Sequence, residues 1–351
     1  MKNFILLFVF SCFFKVSYGL PDTIVDNLKK RWHKIYYESG EIQAEGPIKK
    51  NQITDRWRVY YESGEILSEA NYKRGAREGW AVFYYKGGEI QQFGRWKKNL
   101  AVGLFKNYYP NGILQSVGYY KRGEQHGEWK IYFNSGKLKE LSLWKKGDNH
   151  GLMKIYYENG QLKKTGMWKN GKYNGLWKLF YEDGALQQAA NYKNSLEEGL
   201  LTTYYQGGAV KEVGYWSVGR RNGEMEHYFE NGKLSQKGLW IDDKQHGAWV
   251  FYYSNGSIRE KATFNNGVGE GVGKYYYENG NLAQDAVWVN GKRNGRYKKF
   301  YENGALYENG SFENDLKEGV WKIYNEKGVL KETKKYQKGV MVSFTSEQNA
   351  N

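Results

Sequence analysis

The chain has 351 residues, of which 44 are Gly, 32 are Tyr and only 3 are Pro; aromatic side chains make up 17%. That is too aromatic for a disordered chain and too rich in glycine for an ordinary helical enzyme. The formal net charge is +15, and the only cysteine is Cys12, which excludes disulfide frameworks and cysteine-based zinc sites.

In chain order, Lys2 and the apolar run Phe4 to Phe14 read as the charged and apolar regions of an export signal, with Ser17 and Gly19 as small residues before a cleavage site at Leu20. The run is shorter than the roughly 20 residues a spanning helix needs. Rival readings are an uncleaved anchor and a lipoprotein signal. The second fits poorly, because Phe10 is bulky and the apolar run continues past Cys12. We expect residues 1–19 to be removed as a signal peptide and the protein to be exported, as a periplasmic, cell-surface or secreted molecule.

One period then organises the chain. The glycines Gly40, Gly64, Gly88, Gly112, Gly136, Gly160, Gly184, Gly208, Gly232, Gly256, Gly280, Gly304 and Gly328 each close an aromatic-aromatic-x-x-Gly string, or its equivalent, at a constant interval of 24. Counting from this repeat glycine, an aliphatic residue stands at +2 (Ile42, Leu162, Leu330) and a small residue at +6. An aromatic follows at +8 (Tyr72, Trp96, Trp168), and Gly, Asn, Asp or Ser at +11 (Gly75, Asn99, Ser195, Asp243). Another Gly falls at +15, from Gly79 to Gly319. Residues 20–31 read as an N-terminal cap, 32–345 as an array of thirteen repeats and 346–351 as a C-terminal tail.

Each unit reads as one β-hairpin. Trp177, Leu179 and Tyr181 alternate on one face of a strand, Glu182-Asp183-Gly184 supplies a tight turn, and Leu186, Ala190 and Tyr192 alternate on the next strand. The small residue leaves room for a neighbouring ring to cross the backbone. A lone hairpin is marginal in water, so stacking must bury the aromatic stripes. The expected fold is all-β: an elongated, twisted, single-layer antiparallel sheet of about thirteen stacked hairpins, roughly 120 Å long at ~4.8 Å per strand. Exposed end strands would allow a homo-oligomer to form end to end.

Strings such as Tyr156-Tyr157-Glu158-Asn159-Gly160-Gln161-Leu162 and Trp288-Val289-Asn290-Gly291-Lys292-Arg293-Asn294-Gly295 resemble MORN repeats, most closely the 24-residue bacterial variant labelled as a toxin–antitoxin antitoxin family. The resemblance implies a hairpin array for protein association and scaffolding, in some members touching membranes. It leaves no residues here for an appended kinase or methyltransferase domain.

Charge breaks the symmetry of the repeat. Residues 21–180 hold 29 Lys/Arg against 16 Asp/Glu, whereas 181–351 hold 22 of each. At +9 stand Lys49, Lys73, Lys97, Lys121, Lys145, Lys169 and Lys193; at +10 in the first five repeats stand Lys50, Arg74, Lys98, Arg122 and Lys146. In stacked hairpins these form a basic rail with a step of about 10 Å. The rail either keeps an aromatic sheet soluble and guards its edges, or docks an anionic partner: lipid headgroups, an acidic cell-wall polymer or an acidic protein. Nucleic acid is not the expected partner of an exported chain. A second row, including Tyr84, Tyr108, Tyr132 and Tyr156, lies opposite the Trp177-type face and reads either as packing between repeats or as an aromatic track for a protein or glycan.

Residue types that suggest chemistry fall on the same period. His126, His150 and His246 recur one before the +15 glycine, about 10 Å per repeat apart, too far to share an ion at ~2.1 Å. Glu158, Glu182 and their equivalents recur in the turn two before the repeat glycine, whereas a retaining glycosidase needs two carboxyls about 5–5.5 Å apart across a cleft. We expect no catalytic residues, no metal and no cofactor. The expected function is that of an exported, non-catalytic scaffold presenting an aromatic and basic surface to a protein or to the envelope. The alternative is an antitoxin-like protein that neutralises a toxin by binding it.

Overall fold

In the computed structural model, which describes residues 30–346, the chain is all β, with 28 strands and, among the described residues, no helix. The expected signal peptide, all but the end of the expected N-terminal cap and nearly all of the expected tail lie outside the described residues. The described residues fall into two compact units, 30–88 with Trp96–Asn99, and Glu89–Arg95 with 100–346. Within each, strands pair antiparallel with their neighbours in the chain. In the second unit, for example, Lys172–Phe180 pairs with Leu186–Lys193, which pairs with Leu196–Tyr204. Its last strand, Val340–Ser346, pairs among the described residues with Leu330–Gln337. The hairpins therefore stack as an open single layer, as their sequence leads one to expect.

Two irregularities recur in the repeat, and each has a residue that causes it. At +15 the backbone turns left-handed inside the strand, as at Gly175 (φ 73°), and the pairing slips between Thr165 and Met167. A Cβ there would be strained, which explains this glycine. In the first repeat Asp55 takes its place at φ 58°, and the strand breaks into Gln52–Ile53 and Asp55–Tyr60. The second irregularity corrects the reading of faces. Phe180 sits opposite Leu186 while Leu179 sits opposite Gln188, so Gln187 is bulged out. Leu186 therefore shares the face of Phe180, and not that of Ala190 and Tyr192. Strict alternation does not survive a one-residue bulge.

The core of each unit is built on large side chains, each ring lying across a small residue. Trp57, Phe105, Trp129, Trp177, Trp249 and Trp321, all at +17, are 0–4% exposed. A Cβ built on Gly166 would stand 2.1 Å from the Trp177 ring, and one on Gly238 would stand 2.3 Å from Trp249. Four of the five indoles also satisfy their own donor, as Trp177 Nε1 donates to the Met167 carbonyl at 3.1 Å and Trp249 Nε1 to that of Leu239 at 3.2 Å, whereas Trp321 Nε1 has no hydrogen-bond partner among the described residues. The rule holds along the chain. Every Trp at +17 faces Gly, whereas Ala70, Ser142, Ala190 and Ala262 at +6 face Ala81, Met153, Leu201 and Gly273. At Ala262 and Gly273 a cavity of about 200 Å³ opens, lined in part by Trp288.

Aromatics and cations complete the layer on this face. Tyr173 packs 4.1 Å from Trp177 and edge-on to Trp168 at 4.4 Å. Arg221 lies 3.7 Å over Trp240 and Lys317 3.8 Å over Trp321. A share of the basic residues is thus held in cation–π packing.

The second tyrosine of each aromatic pair ties one repeat to the next. Tyr181 Oη donates to the Tyr204 carbonyl at 2.8 Å, Tyr205 to Tyr228 at 2.8 Å and Tyr253 to Tyr276 at 2.8 Å. The first unit shows the same link from Tyr37 to Tyr60, at 2.7 Å. Replacing Tyr181 by Phe should cost about 1 kcal/mol, the net worth of one such bond, read as a lowered thermal midpoint. Phe133 and Phe229 fill this position elsewhere, so the variant will fold.

Candidate functional site

The basic residues at +9 and +10 border a second, two-residue turn. In each unit these turns lie side by side, because the +11 amide donates to a carbonyl of the preceding repeat. Gly75 bonds Ile53 O at 2.9 Å in the first unit; Gly123 bonds Ala101 O at 2.9 Å and Gly147 bonds Gln125 O at 3.1 Å in the second. All twelve residues of the expected rail are exposed: Lys49, Lys50, Lys73, Arg74, Lys97 and Lys98 in the first unit, and Lys121, Arg122, Lys145, Lys146, Lys169 and Lys193 in the second. Lys121 faces Glu124 and Lys145 faces Asp148 across their hairpins, while Lys169 faces Lys172.

The structure adds a conformational fact. Residues at +10 are left-handed: Lys50 (φ 51°), Arg74 (53°), Lys98 (49°), Arg122 (55°) and Lys146 (54°). Six of the eight later repeats place Asn170, Asn194, Asp242, Asn266, Asn290 and Asn314 there, the residues that tolerate this region best, while the other two hold Val218 (φ 52°) and Lys338 (φ 46°). Basic side chains at these turns cost about 1 kcal/mol or more each relative to residues at ease there. Stability does not explain them. Replacing Arg122 and Lys146 by Asn should therefore raise the thermal midpoint while weakening binding to an anionic partner.

A second feature lies on the sheet face opposite the rings. Alternation from Trp177 turns Leu176 and Lys178 to this side, and cross-strand pairing sets +16 against +7 and +18 against +5. In the second unit the pairs Leu104–Tyr119, Glu128–Leu143, Leu152–Met167, Leu176–Asn191 and Leu200–Tyr215 follow one another. Tyr119, Leu143, Leu152, Met167, Leu176, Leu200 and Tyr215 are each 38–52% exposed, and form one apolar row. One step along the strands on one side stand Lys106, Lys130, Lys154 and Lys178; one step on the other stand Lys121, Lys145, Lys169 and Lys193. Each lysine row lies ~7 Å from the apolar row, two residues of extended chain. The lysines at +18 and the apolar residues at +7 and +16 escape sequence reading, because their faces follow only once the bulges are known.

The corresponding face of the first unit is neutralised internally. Arg56 and Arg58 both bond Glu69, the second at 2.7 Å, and Lys34 approaches Glu45 at 3.7 Å. Burial opposes ionisation of Glu69, yet the hydrogen bonds from Arg58 and Arg56 hold its carboxyl below the usual range. The expected aromatic track is only partly available. Tyr84, Tyr108, Tyr132 and Tyr156 are half-buried, and the carbonyls of Tyr84 and Tyr132 serve the tyrosine links, accepting from Tyr61 at 3.0 Å and Tyr109 at 2.9 Å. Burial, with the Glu69 carboxylate adding to it, raises the Tyr84 phenol.

The turn glutamates Glu158, Glu182, Glu230 and Glu278 are exposed and belong to separate turns. Burial raises the carboxyls of Glu140 and Glu260, more than one hundred residues apart in the chain and each beside its own hydroxyl, of Ser142 and Tyr275. Among the described residues no three His, Cys, Asp or Glu side chains come together as a metal site.

No curated protein matches the chain. A crystal structure of TcdB2-TccC3-Cdc42 is similar to it at 11% identity over 89% of this chain and 20% of that one, with a TM-score of 0.17. The structure of the Photorhabdus luminescens Tc holotoxin pore is similar at 13% identity over 85% of this chain and 17% of that one, with a TM-score of 0.19. The chain thus spans a fifth or less of those chains, and likenesses this slight carry no argument. The model of the MORN repeat variant matches residues 56–74, 101–122, 125–146, 149–170, 173–194, 221–242, 245–266, 269–290, 293–314 and 317–338, more than half of the chain. The match falls on the hairpins described above, and the chain belongs to this MORN repeat family.

Proposed function

We propose that the protein is an exported, non-catalytic scaffold whose aromatic and basic surface holds a protein or an envelope component of negative charge. The observation that carries this reading is the face of the second unit, where an exposed apolar row runs between two lysine rows. Such a surface suits an amphipathic partner that brings acidic groups to either side of an apolar strip. Electrostatics would speed and orient the encounter, and the apolar row would slow release. Basic residues kept at left-handed turns support the same reading. The constant 24-residue spacing supports placing the chain in the bacterial variant labelled as antitoxins, and a toxin covered by this face is the second form the proposal takes.

The test is a pull-down from the native envelope at low and at high salt, with the wild-type chain and with Lys73, Lys97, Lys121 and Lys145 reversed to Glu. The proposal expects a partner captured at low salt, released at high salt and lost with the variant while its circular dichroism is unchanged. Capture that ignores both salt and charge reversal overturns it.

A further inference from the structure

One repeat lacks two of the side chains that cover the ring-bearing face elsewhere. At +13, Arg221 lies 3.7 Å over Trp240 and Arg293 4.0 Å over Phe312, each reaching the +8 ring of the next repeat. Tyr173 meets Tyr192 in the same way, at 5.6 Å. In the repeat of Gly256 the residue at +13 is Gly269, and the core residue at +17 is Gly273. Ala81 at +17 is also small, but there Arg77 stands at +13, 4.7 Å over Trp96. With both side chains gone, the cavity of about 200 Å³ is left, and Glu260, Phe264, Gly269, Gly273, Tyr275 and Trp288 contribute to its lining. Water reaches its floor: Ala262 is half-buried, whereas Ala70, Ala190 and Ala286 at the same position are buried.

Two repeats on, the chain fills the equivalent space itself. Lys317 Nζ stands 3.4 Å from a Glu308 carboxylate oxygen, 3.8 Å over the Trp321 ring and 5.5 Å from the centre of the Tyr336 ring. At the cavity the corresponding residues are Glu260 for Glu308, Gly269 for Lys317, Gly273 for Trp321 and Trp288 for Tyr336. The carboxyl and the outer ring are kept, while an ammonium and an aromatic ring are removed. Burial disfavours the charged form of Glu260, and the Tyr275 hydroxyl and Arg259 offset this only in part. Arg259 itself packs over Phe251, at 5.7 Å. Glu270, also in the lining, accepts from the Asn290 amide at 3.0 Å. Among the described residues no Lys or Arg lines the cavity. A carboxylate beside aromatic faces, partly withdrawn from water, attracts an organic cation. An apolar cavity of about 150 Å³ already accepts benzene, so a space of this size admits a ring.

We propose that this cavity binds a small arylalkylamine, its ammonium hydrogen-bonded to Glu260 as the Lys317 amine is to Glu308, and its ring packed against Phe264 and Trp288. The inference goes beyond the anionic partner proposed above, which uses the opposite face of the sheet.

Titration calorimetry of the full chain with phenethylamine should show one saturable site. Phenethyl alcohol, which keeps the shape and lacks the charge, should bind at least about 10-fold more weakly, as should propylamine, which lacks the ring. Glu260→Gln should weaken phenethylamine by a similar factor. Gly269→Lys restores the cation that Lys317 supplies two repeats on. A Cβ at Gly269 meets nothing within 4 Å, so circular dichroism of this variant should be unchanged while phenethylamine binding is lost. The absence of saturable heat with phenethylamine overturns the inference. Equal binding of the alcohol or of propylamine does so too, as does binding that persists in Glu260→Gln or in Gly269→Lys.

Discussion

Trp249→Ala should destabilise the second unit by about 3–5 kcal/mol, the usual cost of emptying a large aromatic site. Trp249 is 1% exposed and spans from Gly238 to Trp240, at 5.6 Å, and Phe264, at 6.3 Å. Removing it also strands the Leu239 carbonyl that its Nε1 bonds. The converse substitution tests the geometry. Gly238→Ala places a methyl 2.3 Å from the indole, and neither the sheet backbone nor the ring can yield. Overpacking of this kind costs roughly 1–3 kcal/mol. Combining Gly238→Ala with Trp249→Leu recreates the Ala190–Leu201 pair found in the same chain, and should cost less than the two single changes together. Hydrogen exchange of the strand Lys244–Tyr252 is the appropriate readout, since stacked repeats open locally as well as globally. Strict additivity would mean that the rings do not pack on the small residues.

Reversing Lys106, Lys130, Lys154 and Lys178 to Glu should weaken partner binding by at least about 1,000-fold, taking ~1 kcal/mol for each lysine near an anionic surface. These four lie beside the apolar row, where three are half-buried and Lys130 pairs with Glu128 at 2.9 Å. Salt should weaken binding of the wild type steeply and leave the variant little to lose. Melting should change little, because surface charges away from buried partners contribute about 0.5 kcal/mol or less. A variant that binds as the wild type does would place the contact elsewhere.

The fold was legible because its grammar is short. A constant interval of 24 residues, turn glycines and a small residue eleven before each core ring are enough to write hairpins that stack. What the sequence hid was the consequence of the bulges. Leu186 looks continuous with Ala190 until the extra residue Gln187 is seen to turn it over, and Lys178 looks like any solvated lysine until its neighbours Leu176 and Ala189 are placed. The left-handed backbone at Arg122 and Lys146 was hidden for a different reason: neither residue prefers it. The signal was present in other repeats, where Asn170-Gly171, Asn266-Gly267 and Asn290-Gly291 spell out a turn with two positive φ values. The tyrosine links were missed because Tyr181 read as a member of the aromatic stripe, whereas its hydroxyl serves the carbonyl of Tyr204.

The central claim is that the face bearing the apolar row is where a partner sits. Hydroxyl-radical footprinting of the chain, alone and with the captured partner, tests it residue by residue. Tyr119, Leu143, Met167, Leu176 and Tyr215 should lose labelling on binding, while the exposed glutamates of the opposite turns keep theirs. Protection confined to those turns, with the apolar row labelled as before, would contradict the account.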